Sequence, residues 1–548
     1  MREPGLIKRR LRELPHRSRL RLCALAAGVC IGIGYPFSLL WMLVFAGMPL
    51  FLYALTHARS LRESMYLGAW TGGVAYMLIG IPVFFGALPL DWFGIASLPA
   101  VVAVVLLLLL YATISAVLVF VFFAYAAYAL MTRTWFDVFL FPALFVTAEF
   151  FESAVYYLTQ WGRGSYSGLH YTFGSIGYLL ASDSVLLRLA PLGGVYALSF
   201  FTVFASALFM QAAQRERSVY RDAAIALIAL FLLCHVVFAM KATIHQIDTE
   251  KDPIAIGVVS RYLLPTREQS PAFQEDLDGD LTSLFAPLSG VALLVLPENA
   301  AYLRQLSDEG ESASMKTMLR KIGQGNAMPL TIDSSDERQT NGVIREVATA
   351  YRGDQDTSFT ERQLLLPFGE YIPKAVEPLV YAFAGKEHSE ELAVRTHESG
   401  SMRVITQLPP LKLGVRFSDE VMSPELYRKE VQDGANLLVN VSSLSWFHGS
   451  HMVYSYALRM AQVRASETGR YYIQSGNMAP AFVLDDHGAI LAQTPVGRSR
   501  ALGAFVHTRT SLTPYVRYGQ IAIILFLFLI ILLRFIPVYK LKKELHDV

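Results

Sequence analysis

Four short islands in the second half of this 548-residue chain place acidic, basic and hydroxyl residues at the ends of apolar runs, where binding and catalytic groups tend to sit. "VLPENA" ends a run at Glu298, and "TERQLLLPFGEYIP" carries Arg362 and Glu370. "KLGVRFSDEVMSPELYRKE" starts β-branched and apolar, turns a polar corner at Ser418 with Glu420 just behind, and continues as a helix with Pro424 near its first turn. "NVSSLSWFHGSH" supplies Trp446, Phe447 and His448. A strand-to-helix elbow can push a serine out as a nucleophile, provided a neighbouring base takes its proton. The plain alternative is a turn serine whose hydroxyl bonds nearby backbone. Glu298 is the carboxylate available as that base. Arg362 can stabilise an oxyanion but cannot give and take protons, and a guanidinium beside Glu298 is expected to favour the carboxylate and weaken it as an acceptor. His448 is a second candidate base. With His451 it also suggests a metal, but no third ligand stands at telling spacing, so neither a metal nor another cofactor is expected.

These islands need a sheet to hold them. From residue 253 the chain alternates short β-rich runs ("IAIGVVS", "VALLVLPE", "RQLLLPFGEY", "MRVITQL", "KLGVRF", "ANLLVNVSS", "RYYIQSGN", "AFVLDDHGAILAQ") with helix-like segments. That pattern predicts an α/β or layered α+β domain whose central sheets are covered by helices. Residues 305–325 look amphipathic and capped, as a covering helix would be. Cys23, Cys30 and Cys234 all precede this domain, so it can form neither a disulfide nor a cysteine-based zinc site.

The rest of the chain belongs in a bilayer. Apolar residues make up 53% and charged residues only 17%, and the surplus is concentrated in runs long enough to cross at about 20 residues each. These lie near 20–35, 37–56, 64–88, 98–130, 134–156, 190–213, 222–243 and 516–537. His57, Arg59, Arg62, Arg133, Arg215, Arg217 and Arg221 fall on alternate connections, while 86–97 has no Lys or Arg. Both basic ends are therefore expected in the cytoplasm. The organisation reads as a basic cytoplasmic N-terminus (1–19), a seven-helix transmembrane domain (20–243), an extracytoplasmic domain (244–513), an eighth transmembrane helix (514–537) and a cytoplasmic tail (538–548). The basic start is read as orientation-setting and not as a nucleic-acid arm. Glu149 and Glu152, three apart near the outer end of a span, share one helix face, although their interfacial place weakens the functional default for intramembrane carboxylates.

Taken in order, "YPFSLLWMLVFAGMPLFLYAL", "FPALFVTAEFF", "LRLAPLGGVYALSF", "LVLPENA", "LLLPFGEYIP", "LLVNVSS", "WF" and "AQVRASETGRYYIQSGN" resemble the nitrilase (carbon-nitrogen hydrolase) superfamily, and within it the bacterial apolipoprotein N-acyltransferase family. The resemblance spans nearly the whole chain. It implies a multi-pass α-helical membrane domain joined to an α-β-β-α sandwich, a bacterial inner-membrane location, and transfer of a phospholipid acyl chain to a lipoprotein amine by a glutamate, a lysine and a cysteine. Glu298 matches the glutamate. Arg362 stands at the lysine position, five residues before Pro367, and Ser418 at the cysteine position, followed by Asp419 where the family has an aromatic residue. Ser443 and Leu444 replace the usual Asn and Asp, His448 stands for a glycine and Glu152 for an arginine. Two readings follow: a non-catalytic protein binding a lipid, a lipoprotein or an envelope-assembly partner in a membrane-open cavity, or an acyltransferase working through Ser418. A purely structural envelope subunit is a third.

Overall fold

The computed structural model describes residues 15–90, 97–162, 171–214, 218–245, 253–262, 283–300, 312–339, 342–352, 355–367, 370–375, 377–378, 397–401, 406–408 and 410–535. Residues 1–14 and 536–548 of the basic ends, Arg215 and Arg217, residues 91–96 of the 86–97 loop and the start of the 305–325 segment lie outside these residues.

The apolar runs fold as helices α1 (His16–Ile33), α2 (Val44–Thr56), α3 (Leu61–Gly86), α4 (Ser97–Ser115), α5 (Phe122–Leu130), α6 (Asp137–Thr159), α7 (Ala190–Gln214) and α8 (Ser218–His245). Among the described residues six helices are long and apolar enough to cross a bilayer; α4 and α5 join through a π turn into one of them, Ser97–Leu130. The first expected span falls on α1, whose opening turns carry Arg17, Arg19 and Arg21. Small residues let these helices approach closely: a Cβ on Gly28 would lie 2.6 Å from the Thr71 carbonyl, and one on Gly68 2.5 Å from that of Phe120.

The following segment builds two sheets from β1 (Ile254–Arg261), β2 (Leu293–Val295), β3 (Leu330–Arg338), β4 (Ile344–Arg352), β5 (Gln355–Glu361), β6 (Thr406–Leu408), β7 (Leu411–Phe417), β8 (Leu437–Val441), β9 (Tyr472–Gln474), β10 (Gly476–Asn477), β11 (Phe482–Leu484), β12 (Ile490–Gln493) and β13 (Arg500–Val506). One sheet runs β10-β1-β2-β3-β4-β5 with β13 also on β1, the other β12-β11-β9-β8-β7-β6. Period-two alternation decides which side chains meet. Ile256 and Val258 of β1, Leu413, Val415 and Phe417 of β7 and Leu437, Val439 and Val441 of β8 fill the space between the sheets. Each such side chain contributes about 1.5–3 kcal/mol by leaving water.

Helix α9 (Ser312–Ile322) covers the outer face of the first sheet through Leu319 and Ile322. Helices α10 (Pro424–Gln432) and α11 (His451–Thr468) cover the second, and their apolar residues join one continuous core with α1 to α7. The layering is α-β-β-α, seated on the membrane helices. A last helix, α12 (Pro514–Leu533), returns to them and bends by 56° between its two parts.

Candidate functional site

Ser418 sits at the elbow between β7 and α10. Strand β7 ends at Phe417 in extended conformation, and Ser418 takes φ +24, an uncommon angle for a residue with a Cβ, before a 3₁₀ turn leads through Ser423, whose hydroxyl caps α10 by accepting from Leu426 N. Such a conformation costs on the order of 1–3 kcal/mol and persists where its surroundings over-determine it. Here they do. Glu420, fully buried, accepts from Phe417 N at 3.0 Å, Gln363 N at 2.8 Å and Leu364 N at 3.0 Å. The Ser418 carbonyl accepts from Asn440 Nδ2 at 3.2 Å, and Ser418 Oγ donates to the Ser443 carbonyl at 3.2 Å.

Glu420 also explains a difference from the sequence reading. "RQLLLPFGEY" looks like a strand, but β5 ends at Glu361. The amides of Gln363 and Leu364 bond to a carboxylate and not to a neighbouring strand, and Pro367 has no N–H to extend a ladder.

Arg362 begins that irregular stretch and is 4% exposed. Its Nε donates to the Leu364 carbonyl at 3.0 Å, and Nη1 meets Glu298 at 2.9 Å, Glu346 at 2.7 Å and Glu370 at 2.7 Å. Nη2 donates to Asp419. Five acceptors surround this guanidinium, four of them carboxylates, and three of those crowd Nη1. Glu298 and Arg362 thus meet, inside a larger cage. Glu346 and Asp419, absent from the candidate set, complete it. Glu346 left one readable signal, because alternation along β4 puts it on the face of Ala348 and Ala350, which enter the inter-sheet core.

The charge state of Glu298 differs from the expectation. Burial comes first and pushes its carboxyl up, Arg362 pulls it down, and Glu370 and Asp419 push it up again, leaving it raised from 4.5 to about 8. Asp419 is likewise raised by burial, against Arg362, from 3.8 to about 7. Three further carboxylates share the guanidinium, so its charge does not hold Glu298 ionised. The Ser418 hydroxyl is turned to the Ser443 carbonyl, and a carboxylic acid that keeps its proton at neutral pH could not accept the serine's.

Glu298, Arg362, Glu370, Ser418 and Asp419 form the polar end of a cavity of about 320 Å³. Its walls are Phe84, Tyr111, Tyr156, Tyr171 and Phe173 from the membrane region and Trp446 and Phe447 from the loop after β8. Glu420 and His448 are not in this lining: Glu420 braces the elbow, and His448 turns its Nδ1 to the Gly86 carbonyl at the end of α3, 3.3 Å away. The segment after Glu370 is stitched to the end of α6: Tyr371 Oη donates to the Gln160 carbonyl at 2.7 Å, Lys374 N to that of Trp161 at 2.9 Å, and Pro373 bridges Gly162.

Comparison with known proteins adds the family. Residues 27–208 match the apolipoprotein N-acyltransferase N-terminal domain and residues 278–500 the carbon-nitrogen hydrolase domain. The chain belongs to the apolipoprotein N-acyltransferase family. Curated relatives bearing that name include those of Chromobacterium violaceum, 25% identical over 387 residues (68% of this chain, 69% of the relative). The Pseudomonas putida relative is 26% identical over 514 residues (91% and 92%). Solved structures with a similar fold include a carbon-nitrogen hydrolase from Helicobacter pylori, at TM-score 0.34 and 14% identity over 50% of this chain and 94% of that one. A Nesterenkonia amidase of the nitrilase superfamily matches at 0.32 and 16% over 49% and 95%. This member of the family is a bacterial membrane protein with a nitrilase-like α/β domain.

Proposed function

We propose that this protein holds a phospholipid acyl chain, or the lipidated end of a lipoprotein, in the cavity beside Arg362, and that no acyl group passes through Ser418. The observation that carries this reading is the crowding at the guanidinium. Four carboxylates already compete for this one cation, so an oxyanion formed at the elbow would bring further negative charge to a group whose own charge is spent on them. Glu298, protonated at neutral pH, adds a second obstacle. The ligand class fits what the relatives' name says they act on, and it suits an apolar chamber that ends in a polar cage. Incubation of the purified chain with phospholipid carrying an alkyne-tagged acyl chain tests it: lipid retained without any increase in the intact mass of the protein is expected, whereas an acyl ester mapped to Ser418 would overturn it.

A second reading, turnover through Ser418, is favoured by the positive φ at the elbow and by the shared place of Ser418 and Glu298 in one cavity lining. The two readings separate in cells. Ser418→Ala abolishes the phenotype of the intact gene, at unchanged protein level, only if the hydroxyl reacts.

We infer further that the α/β domain faces the periplasm and both termini the cytoplasm, with 244–513 outside the membrane; the alternating Lys and Arg placement supports this. Reporter fusions at residues 59 and 487 test it, since the periplasmic reporter should be active only at the second.

A further inference from the structure

A second groove lies wholly within the membrane helices. It is formed by α6, α7 and α12, has a volume of about 490 Å³, and includes Phe139, Leu192, Ala197, Phe204, Ile523 and Phe526 in its lining. Its walls are apolar and aromatic, and it shares no lining residue with the cavity at Ser418. We propose that this groove is a dedicated binding site for one acyl chain of a bilayer phospholipid.

Three observations point to that occupant. Length is the first. From Tyr196 to Phe204, past the break at Gly193 and Gly194, the groove runs about 12 Å along α7 at 1.5 Å per residue, most of the depth of one leaflet, about 15 Å or half of the hydrocarbon core. Access is the second. Leu192 is 64% exposed, Phe526 51% and Phe139 39%, so the groove opens sideways toward lipid, while Gly193 keeps its upper wall thin: a Cβ there would stand 3.2 Å from the Ala197 side chain and 3.3 Å from that of Ile523. Charge at the membrane boundary is the third. Arg517, in the first turn of α12, is exposed, and a guanidinium at that end of the helix suits the phosphate of a lipid whose tail lies in the bilayer. The site is independent of whether Ser418 reacts.

Helix α8 supplies the control. Its span Val219–Phe238 is only 6% buried, so it samples ordinary bilayer lipid. The full chain in nanodiscs containing phospholipid with a diazirine on the acyl chain should crosslink on α7 and α12 at roughly tenfold the level on α8, equivalent to about 1.4 kcal/mol of preference. Ala197→Trp, which fills the groove, should bring α7 and α12 down to the α8 level while crosslinks at Phe447 and Tyr171 stay unchanged. Ala197→Leu, a smaller filling, serves if the tryptophan variant does not accumulate. Equal crosslinking on all three helices of the native chain, or groove labelling indifferent to both substitutions, overturns the proposal.

Discussion

Replacing Glu298 by glutamine isolates one proton in the cage. The amide keeps an oxygen for Arg362 Nη1, which stands 2.9 Å from Oε1, but it does not titrate. In the native chain the carboxyl rises from 4.5 to about 8, burial being the main cause. At about 1.36 kcal/mol for each tenfold change in proton affinity, that rise amounts to about 5 kcal/mol. The sign follows from the direction. A carboxyl raised in the folded state binds its proton more tightly there than in the unfolded chain, so its contribution is complete below pH 4.5 and is lost as pH climbs to 8. The native protein should therefore lose stability across that window relative to Glu298→Gln, and the variant should be the more stable of the two above pH 8. With about 1 kcal/mol shifting the midpoint by roughly 2–4 °C for a domain of this size, the two melting profiles should diverge by roughly 10–20 °C between pH 4.5 and 8.5. Thermal unfolding in detergent, monitored by tryptophan fluorescence at half-unit steps of pH, reads this directly. Parallel profiles would refute the argument, because they would mean that burial does not govern this carboxyl.

Further consequences concern the same neighbourhood. Arg362→Leu leaves four carboxylates without their cation and should cost about 3–5 kcal/mol at pH 8, with a smaller loss at pH 5, where those groups take up protons; equal losses at both pH values in the same melting assay would contradict the cage. Glu420→Gln turns an amide NH₂ toward one of three backbone donors and should destabilise the domain by about 2–3 kcal/mol, visible as a lower midpoint and as faster hydrogen exchange at Gln363 and Leu364. The double variant Ser418→Cys with Arg362→Lys restores the residue types that the family resemblance implies and frees acceptors around a smaller cation. It should form a hydroxylamine-sensitive thioester with tagged phospholipid where the native chain forms no adduct; absence of the thioester in a folded double variant would show that the obstacle lies elsewhere, at Asp419 above all.

The order of elements was legible wherever period and punctuation agreed. "KLGVRF" became β7, the corner at Ser418 became the elbow, and Pro424 opened α10, because each depends on local backbone rules. The antiparallel trio β3, β4 and β5 escaped notice, since "LTIDSSDER", "IREVATAYR" and "QDTSFTE" carry too many polar residues to read as strands. Their stability comes from cross-strand pairing, which no single segment displays. Glu298, Arg362 and Ser418 could be found from strand ends and family motifs, yet their charge state could not: it depends on Glu346 and Glu370 arriving from 16 and 8 residues away in sequence, to within hydrogen-bond distance of one guanidinium. The aromatic wall of Tyr111, Tyr156 and Phe173 was equally hidden, because it requires the membrane helices to meet the sandwich.

The stitch between Tyr371 and Gln160, with Pro373 bridging Gly162, makes α6 a lever. One end of that helix is set by the bilayer, and the other is tied one residue away from a carboxylate of the cage. A change in hydrocarbon thickness that tilts α6 is therefore expected to move Glu370 and with it the charges around Arg362, which melting profiles in bilayers of short- and long-chain lipid would read.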